Sequence, residues 1–206
     1  MPAKKYIVTL TKDEKEILKD IINNRICNYG SSSVKPLIIF LEGLNFFSSP
    51  ASTRFHGCSE GGLWRHSYGV LKKAVSLLDA FKVNQGHDEF SYNLFVACLF
   101  HDACKAGLYT VDYRNVKDEK TGQWGKIPYY KIKEDSTACG HGGESLRRIE
   151  RFVYLPGEWA LAVYWHMGSY GLSSDENYQY LAACRNFPEV LLLHTADMLQ
   201  VCTGGN

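Results

Sequence analysis

A series of helices interrupted by a single β excursion is what this chain predicts, an all-α fold carrying one small β-hairpin insertion. Three observations carry that expectation. Apolar residues recur at three- and four-residue spacing through most of the chain, the period of helices with one buried face. Only the segment from about 108 to 133 departs from that period, with β-branched and aromatic runs around a polar turn. No Pro/Gly/Ser linker, internal repeat or low-complexity block divides the 206 residues, so residues 1–206 are expected to form one domain.

The first helix is expected from about residue 12 to 26. Thr11 to Glu14 reads TKDE, a Thr-x-x-Glu capping box, and Ile17, Leu18, Ile21 and Ile22 follow at helical spacing. NYGSSSVKP is a loop, and a second helix starts at Pro36, where proline suits a first turn, running through PLIIFLEGLNFF until SSPASTRFHGCSEGG breaks it. From Leu63 to about Phe81, an apolar stripe through Val70, Leu71, Ala74, Leu77 and Leu78 predicts a third helix, with His66 in its first turn. Tyr92 to about Cys104 is a fourth, apolar on nearly every side and therefore central to the core, with His101 and Asp102 at its end. YTVDYRNV and GQWGKIPYYKIK, separated by KDEKTG, predict the hairpin. Helical spacing then resumes from His141 to about Phe152, Pro156 to about Met167 and Pro188 to about Cys202, with a shorter helix around Asn177 to Cys184.

Composition narrows the function. With 45% apolar and 13% aromatic residues the chain can bury a sizeable core, and 22% charged residues is ordinary for a globular protein. The net charge of +1 gives no global basic field for nucleic acid, so any such binding needs a local patch. No apolar run reaches the length of a membrane span, and MPAKKYIVTL lacks the apolar core of a signal peptide; the expectation is a cytoplasmic protein with no membrane partner, and no protein partner is evident. The seven cysteines are odd in number and without CxxC spacing, against both a disulfide framework and a zinc ribbon, and are read as free thiols.

His66, His101, Asp102, His141, His166 and Asp197 carry the chemistry. Imidazole nitrogen and carboxylate oxygen suit Mn, Fe, Co, Ni or Zn, and four His with two Asp are enough to hold two divalent ions about 3.5–4 Å apart, Asp102 being the carboxylate chosen to bridge them. A His and an Asp ending a buried helix point the same way, because an unpaired buried carboxylate costs several kcal/mol or takes up a proton. Lys105, three residues after Asp102 and on nearly the same helical face, is a candidate to neutralise charge on a phosphoryl group.

The motifs RHS at His66, FHDACKAG at His101 and Asp102, GHGGES at His141, YWHMG at His166 and LHTADML at Asp197 resemble, in order, those of the HD-domain metal-dependent phosphohydrolases. STRFHGCSEGGLWRHS and the hairpin resemble a subgroup of small, often phage-associated HD hydrolases, and the chain is similar to the HD domain of bacterial 3′→5′ exoribonucleases; the likeness covers roughly Ser52 to Leu199. Arg65 in WRHS departs from the pattern, which is more often acidic there, and HGGES lacks a lysine common in relatives. The resemblance implies an HD helical bundle in which His66, His101, Asp102 and Asp197 bind one ion while His141, His166 and the shared Asp102 bind a second. It further implies a phosphomonoesterase or phosphodiesterase acting on a nucleotide or a nucleic acid end, with Asp102 and Lys105 catalytic.

Arg54 and His56, in the loop before the first motif, with Lys105 and Arg114 are the candidate substrate-binding residues, and the partner expected is a nucleotide or short oligonucleotide. Tyr109, Tyr113, Trp124, Tyr129 and Tyr130 interleave with Arg114, Lys126, Lys131 and Lys133, a pattern that serves either base stacking or cross-strand packing. His194 is read as a locally bonded residue, His87 as a surface loop residue, Cys104 as packing and ESLRRIERF as a solvated helical face from which Arg147 and Arg148 could still reach the cleft's rim. Three rivals stand beside the phosphohydrolase: an exoribonuclease-like nuclease, a non-catalytic nucleotide-binding regulator and a di-iron oxygenase.

Overall fold

A computed structural model describes residues 34–78, 80–81, 88–133 and 139–203. The helix expected over 12–26, His87 and Cys27 lie outside the described residues. In chain order the elements are α1 (Val34–Gly43), α2 (Gly62–Leu77), α3 (Asp88–Phe100), a 3₁₀ turn (Ala103–Lys105), β1 (Tyr109–Lys117), β2 (Trp124–Ile132), α4 (Gly140–Glu150), α5 (Gly157–Tyr164), α6 (Ser174–Asn186) and α7 (Pro188–Thr203).

The all-α expectation is corrected by the two strands. They pair antiparallel over nine residues each, in register from Tyr109 opposite Ile132 to Lys117 opposite Trp124, so the architecture is mixed, helices plus a two-stranded sheet. Nine-residue strands rich in aromatic and β-branched residues make a ladder in their own right. Asp118 closes the turn: its Oδ1 accepts from the amides of Lys120 and Thr121, each at 2.8 Å, and Gly122 takes the positive φ of 70° that lets the chain return.

The helices bury what their periodicity promised. Leu63, Trp64, Val70, Leu71 and Ala74 of α2, Leu94 and Val96 to Phe100 of α3, Ile149 of α4, Trp159 and Val163 of α5, and Leu192, Leu193 and Ala196 of α7 belong to one buried cluster. Helix α2 packs on α3 and α7, α5 on α3, α4 and α7, and α4 on the 3₁₀ turn. Helix α6 is longer than the segment read from Asn177 to Cys184 because Ser173 caps it, its hydroxyl accepting from the Glu176 amide while Glu176 returns a bond to the Ser173 amide. The Ser-x-x-Glu signature of that cap stands in the sequence. Among the described residues no helix is long and apolar enough to cross a membrane.

Candidate metal centre

Two helix ends build the centre by the same device. Carbonyls in the last turn of a helix have no partner within it. In the last turn of α3 the carbonyl of Cys98 lies 2.8 Å from His101 Nδ1, and in the last turn of α5 the carbonyl of Val163 lies 2.7 Å from His166 Nδ1. Since a carbonyl only accepts, each Nδ1 carries the hydrogen and each Nε2 is left as a lone-pair donor aimed inward. Both imidazoles are fully buried.

Into the same space α2 sends His66 and α7 sends Asp197. His66 Nε2 lies 3.0 Å from Asp197 Oδ1 and 3.6 Å from Asp102 Oδ2; His101 Nε2 lies 3.4 Å from Asp102 Oδ2, and His166 Nε2 lies 3.5 Å from Asp102 Oδ1. Asp102 thus faces His66 and His101 with one oxygen and His166 with the other. Donors held about 2.0–2.2 Å from a single ion stand about 3.0–3.5 Å apart, the spacing seen here. The buried atoms without a hydrogen-bond partner include His66 Nε2, His101 Nε2, His166 Nε2, Asp102 Oδ1 and Asp197 Oδ1. Buried polar atoms are ordinarily satisfied, so five orphans converging from four segments fit a cation. His66, His101 and Asp197 form one group able to hold an ion, and His101, Asp102 and His166 form a second.

His141, exposed at the start of α4, joins the cluster differently from the sequence expectation. It groups with Asp102 and Cys104, its Nδ1 lying 3.5 Å from Cys104 Sγ, and no group among the described residues holds His141 and His166 together. Cys104, read as a packing residue, is indeed buried, but its sulfur is also a donor within reach of Asp102 and His141. All six described cysteines are free thiols. His194 stays out of these groups; its Nδ1 lies 2.7 Å from the His166 carbonyl.

The reading of ESLRRIERF as a solvated face is corrected. Glu144 and Ser145 are buried, and Arg148 crosses to the 3₁₀ turn, donating to the carbonyls of Ala103 at 2.9 Å and Ala106 at 2.8 Å. Ser145 Oγ accepts from the Cys104 amide at 3.1 Å, and Glu144 accepts from both Arg147 and Arg148 at 2.7 Å. Helix α4 is therefore bolted to the turn that carries Lys105. Nothing in the local pattern distinguishes Arg148 from its exposed neighbour Arg147; only the turn's position does.

Gly142 permits the close approach of α4 to α5, since a Cβ there would run into the Tyr164 carbonyl. Gly142→Ala is expected to destabilise by about 1–3 kcal/mol through overpacking and to pull His141 from Asp102. Gly143→Ala, whose Cβ would meet only an ordinary contact 3.4 Å away, is expected to be neutral or mildly stabilising. Thermal melts of the two variants check this, and equal losses would refute the packing argument.

The charged groups of the centre set one another's protonation. Burial alone would raise Asp102, but the Lys105 ammonium, 2.7 Å from Oδ2, and then His101 hold its carboxyl well below the usual carboxylate range. Asp197 is likewise lowered to about 2, against burial, by His66 and His101. Burial opposes protonation of His101, yet Asp102 and Asp197 together raise its pKa. Lys105 is also held above its usual value, burial notwithstanding, by Asp102. The two carboxylates contribute stability above their ordinary titration range that is lost as pH falls through their depressed values; His101 contributes stability below pH 6.5 that is lost as pH rises through its raised value.

Where His101 also holds a proton on Nε2, which its raised pKa favours as pH falls, that proton has to leave before an ion binds there. Apparent metal affinity is therefore expected to go on rising above pH 6.5, the ordinary histidine value, by up to about tenfold per pH unit for each proton released. Calorimetric titration with Mn²⁺ or Zn²⁺ in two buffers of different ionisation enthalpy reads that release directly; a flat profile from pH 6.5 to 8 would contradict it.

Of the candidate substrate residues, His56 and Lys105 lie at the centre, whereas Arg54 and Arg114 line a separate cavity. The His56 ring is 5.0 Å from that of His66, and burial, then His66 and Lys105, lower its pKa, so it is neutral at pH 7. Lys105, expected to reach past the metals towards phosphate, instead folds onto Asp102, with its side chain 11% exposed. Arg54 and Arg114 line a cavity between the 53–60 loop and the sheet, and none of the six cluster residues lines it. Arg65 donates to Ser59 Oγ at 3.2 Å and to the Glu60 carbonyl, so this departure from the motif orders the loop.

No family model, no curated protein and no solved structure matches the chain.

Proposed function

We propose that the protein is a metal-dependent phosphohydrolase that cleaves a phosphate ester of a nucleotide or of a nucleic acid end. The single observation that carries the reading is the convergence of five buried, unpartnered nitrogen and oxygen donors on one small volume. The resemblance of the motifs to those of HD-domain phosphohydrolases supports the reaction class. Divalent ions held among His66, His101, Asp102, His166 and Asp197 would supply Lewis acidity and a nucleophilic water at neutral pH.

The chain's own residues do the rest. Asp102, whose two oxygens face different histidines, is the shared ligand. Lys105, paired with Asp102 in this structure, would have to swing from that carboxylate to offer a point charge to phosphoryl oxygens as negative charge develops on them. Neutral His56 can donate a hydrogen bond to a phosphoryl oxygen or accept one from the departing hydroxyl. Free thiols at all six described cysteines suit a reducing, cytoplasmic setting.

Phosphatase and nuclease assays with added Mn²⁺ are expected to show activity that His101→Ala and Asp102→Ala abolish; turnover retained in both variants refutes the assignment. An oligonucleotide substrate is a second reading, favoured by Trp124 and Tyr113, 70% and 61% exposed on a sheet that also carries Arg114, Lys126 and Lys131. Salt separates the two, because a polymer contacting several phosphates loses affinity steeply with salt and a monomer much less.

A further inference from the structure

We propose that the cavity of about 630 Å³ between the 53–60 loop and the β1–β2 sheet holds a nucleotide, its aromatic base against Tyr129 and Tyr130, its ribose hydroxyls within reach of Glu60 and its phosphate oxygens on Arg54 and Arg114. The proposal rests on the phosphohydrolase reading only for that nucleotide's being the substrate.

Size is the first argument, since pockets for small organic ligands run from about 300 to 1,000 Å³. The second is chemistry left unused. Among the described residues Arg65, Arg147 and Arg148 are all engaged with protein acceptors, whereas Arg54 and Arg114 form no ion pair; Arg114 only rests over the Tyr129 ring at 6.0 Å. Two guanidinium forks in one cavity are donors for phosphate oxygens. Glu60, on the same wall, supplies the acceptor that a base amino group or a ribose hydroxyl needs and that a bare anion has no use for. Tyr129 is held ready, its hydroxyl donating to Asp112 Oδ2 at 3.1 Å.

Placement is the third argument. Both walls are short extensions of the metal centre. Arg54 lies two residues before His56, whose ring touches the His66 side of the cluster. Strand β1 leaves directly after the turn bearing Lys105; its first residue, Tyr109, donates to the Ala51 carbonyl at 3.4 Å, and Val111 in the cavity wall lies about 7 Å further along the strand. The cavity and the turn bearing Lys105 are thus joined by short stretches of chain on both sides.

Calorimetry on the full chain with EDTA, where no turnover occurs, tests the proposal with AMP, GMP, CMP, UMP and ribose 5-phosphate as probes. At least one nucleotide is expected to bind roughly tenfold tighter than ribose 5-phosphate. Arg54→Gln and Arg114→Gln, both at exposed positions, and Tyr130→Leu are each expected to weaken that binding several-fold, while Lys117→Gln, on the same sheet but outside the cavity, does not. Nucleotides binding no better than ribose 5-phosphate, binding too weak to detect, or an equal loss in Lys117→Gln overturns the proposal. Nucleotide preference in a protein devoid of phosphatase activity upholds the cavity and sinks the catalytic reading; hydrolysis of p-nitrophenyl phosphate without any nucleotide preference does the reverse.

Discussion

Asp102→Asn is expected to abolish metal binding and to lower the melting temperature of the ion-free protein by about 10 °C. Two independent losses add. Asparagine keeps the shape but not the charge, so the ligand facing both histidine sets is lost, and activity on any phosphoester is expected to fall by about 10³-fold or more. The stability loss comes from Lys105. Its ammonium lies 2.7 Å from Asp102 Oδ2 with the side chain 11% exposed, and removing one partner of such a buried pair costs about 3–5 kcal/mol, each kcal/mol being worth about 2–4 °C in a domain of this size. Adding Lys105→Met to Asp102→Asn is therefore expected to restore much of the stability and none of the metal content. Metal analysis and thermal melts on the two variants check both halves; a single mutant that keeps its ions and its melting temperature would overturn the account.

Arg148→Met is expected to be the next most damaging change although the residue touches none of the proposed ligands. Methionine keeps the stem and removes the donors to Ala103 and Ala106, leaving those carbonyls without the guanidinium. Glu144 retains Arg147, so no buried charge is stranded. With charge-assisted bonds worth about 1.5–3 kcal/mol each before relaxation, a net loss near 3 kcal/mol is expected, with a fall in kcat because the turn carrying Lys105 loses its brace. Arg147→Met, at a side chain 57% exposed, is expected to leave the melting temperature nearly unchanged. Similar melting temperatures for the two variants would show that α4 does not hold the turn.

The helices were legible because burial of one face imposes a period on the residues themselves. Tyr92 to Phe100 reads as central to the core, and from Tyr92 on all but one of those residues are buried. Ends were harder: the pattern placed a helix to Cys104, whereas α3 stops at Phe100 and the chain tightens into a 3₁₀ turn, a choice made by Arg148 and Ser145 from another helix. The strands were visible as a hairpin, but not that their nine-residue ladder makes the class mixed rather than all-α.

Residue types and their order along the chain determined which side chains are worth considering as ligands, since only His, Asp, Glu and Cys offer the required lone pairs and the motifs mark which of them to weigh. Tertiary structure alone decided the rest: that Asp102 turns one oxygen to each histidine set, that Cys104 stands beside His141, that Arg148 differs from Arg147, and that Arg54 and Arg114 share a cavity. Lone pairs belong to a residue, but a distance of 3 Å between segments dozens of residues apart belongs to the packing of every helix between them.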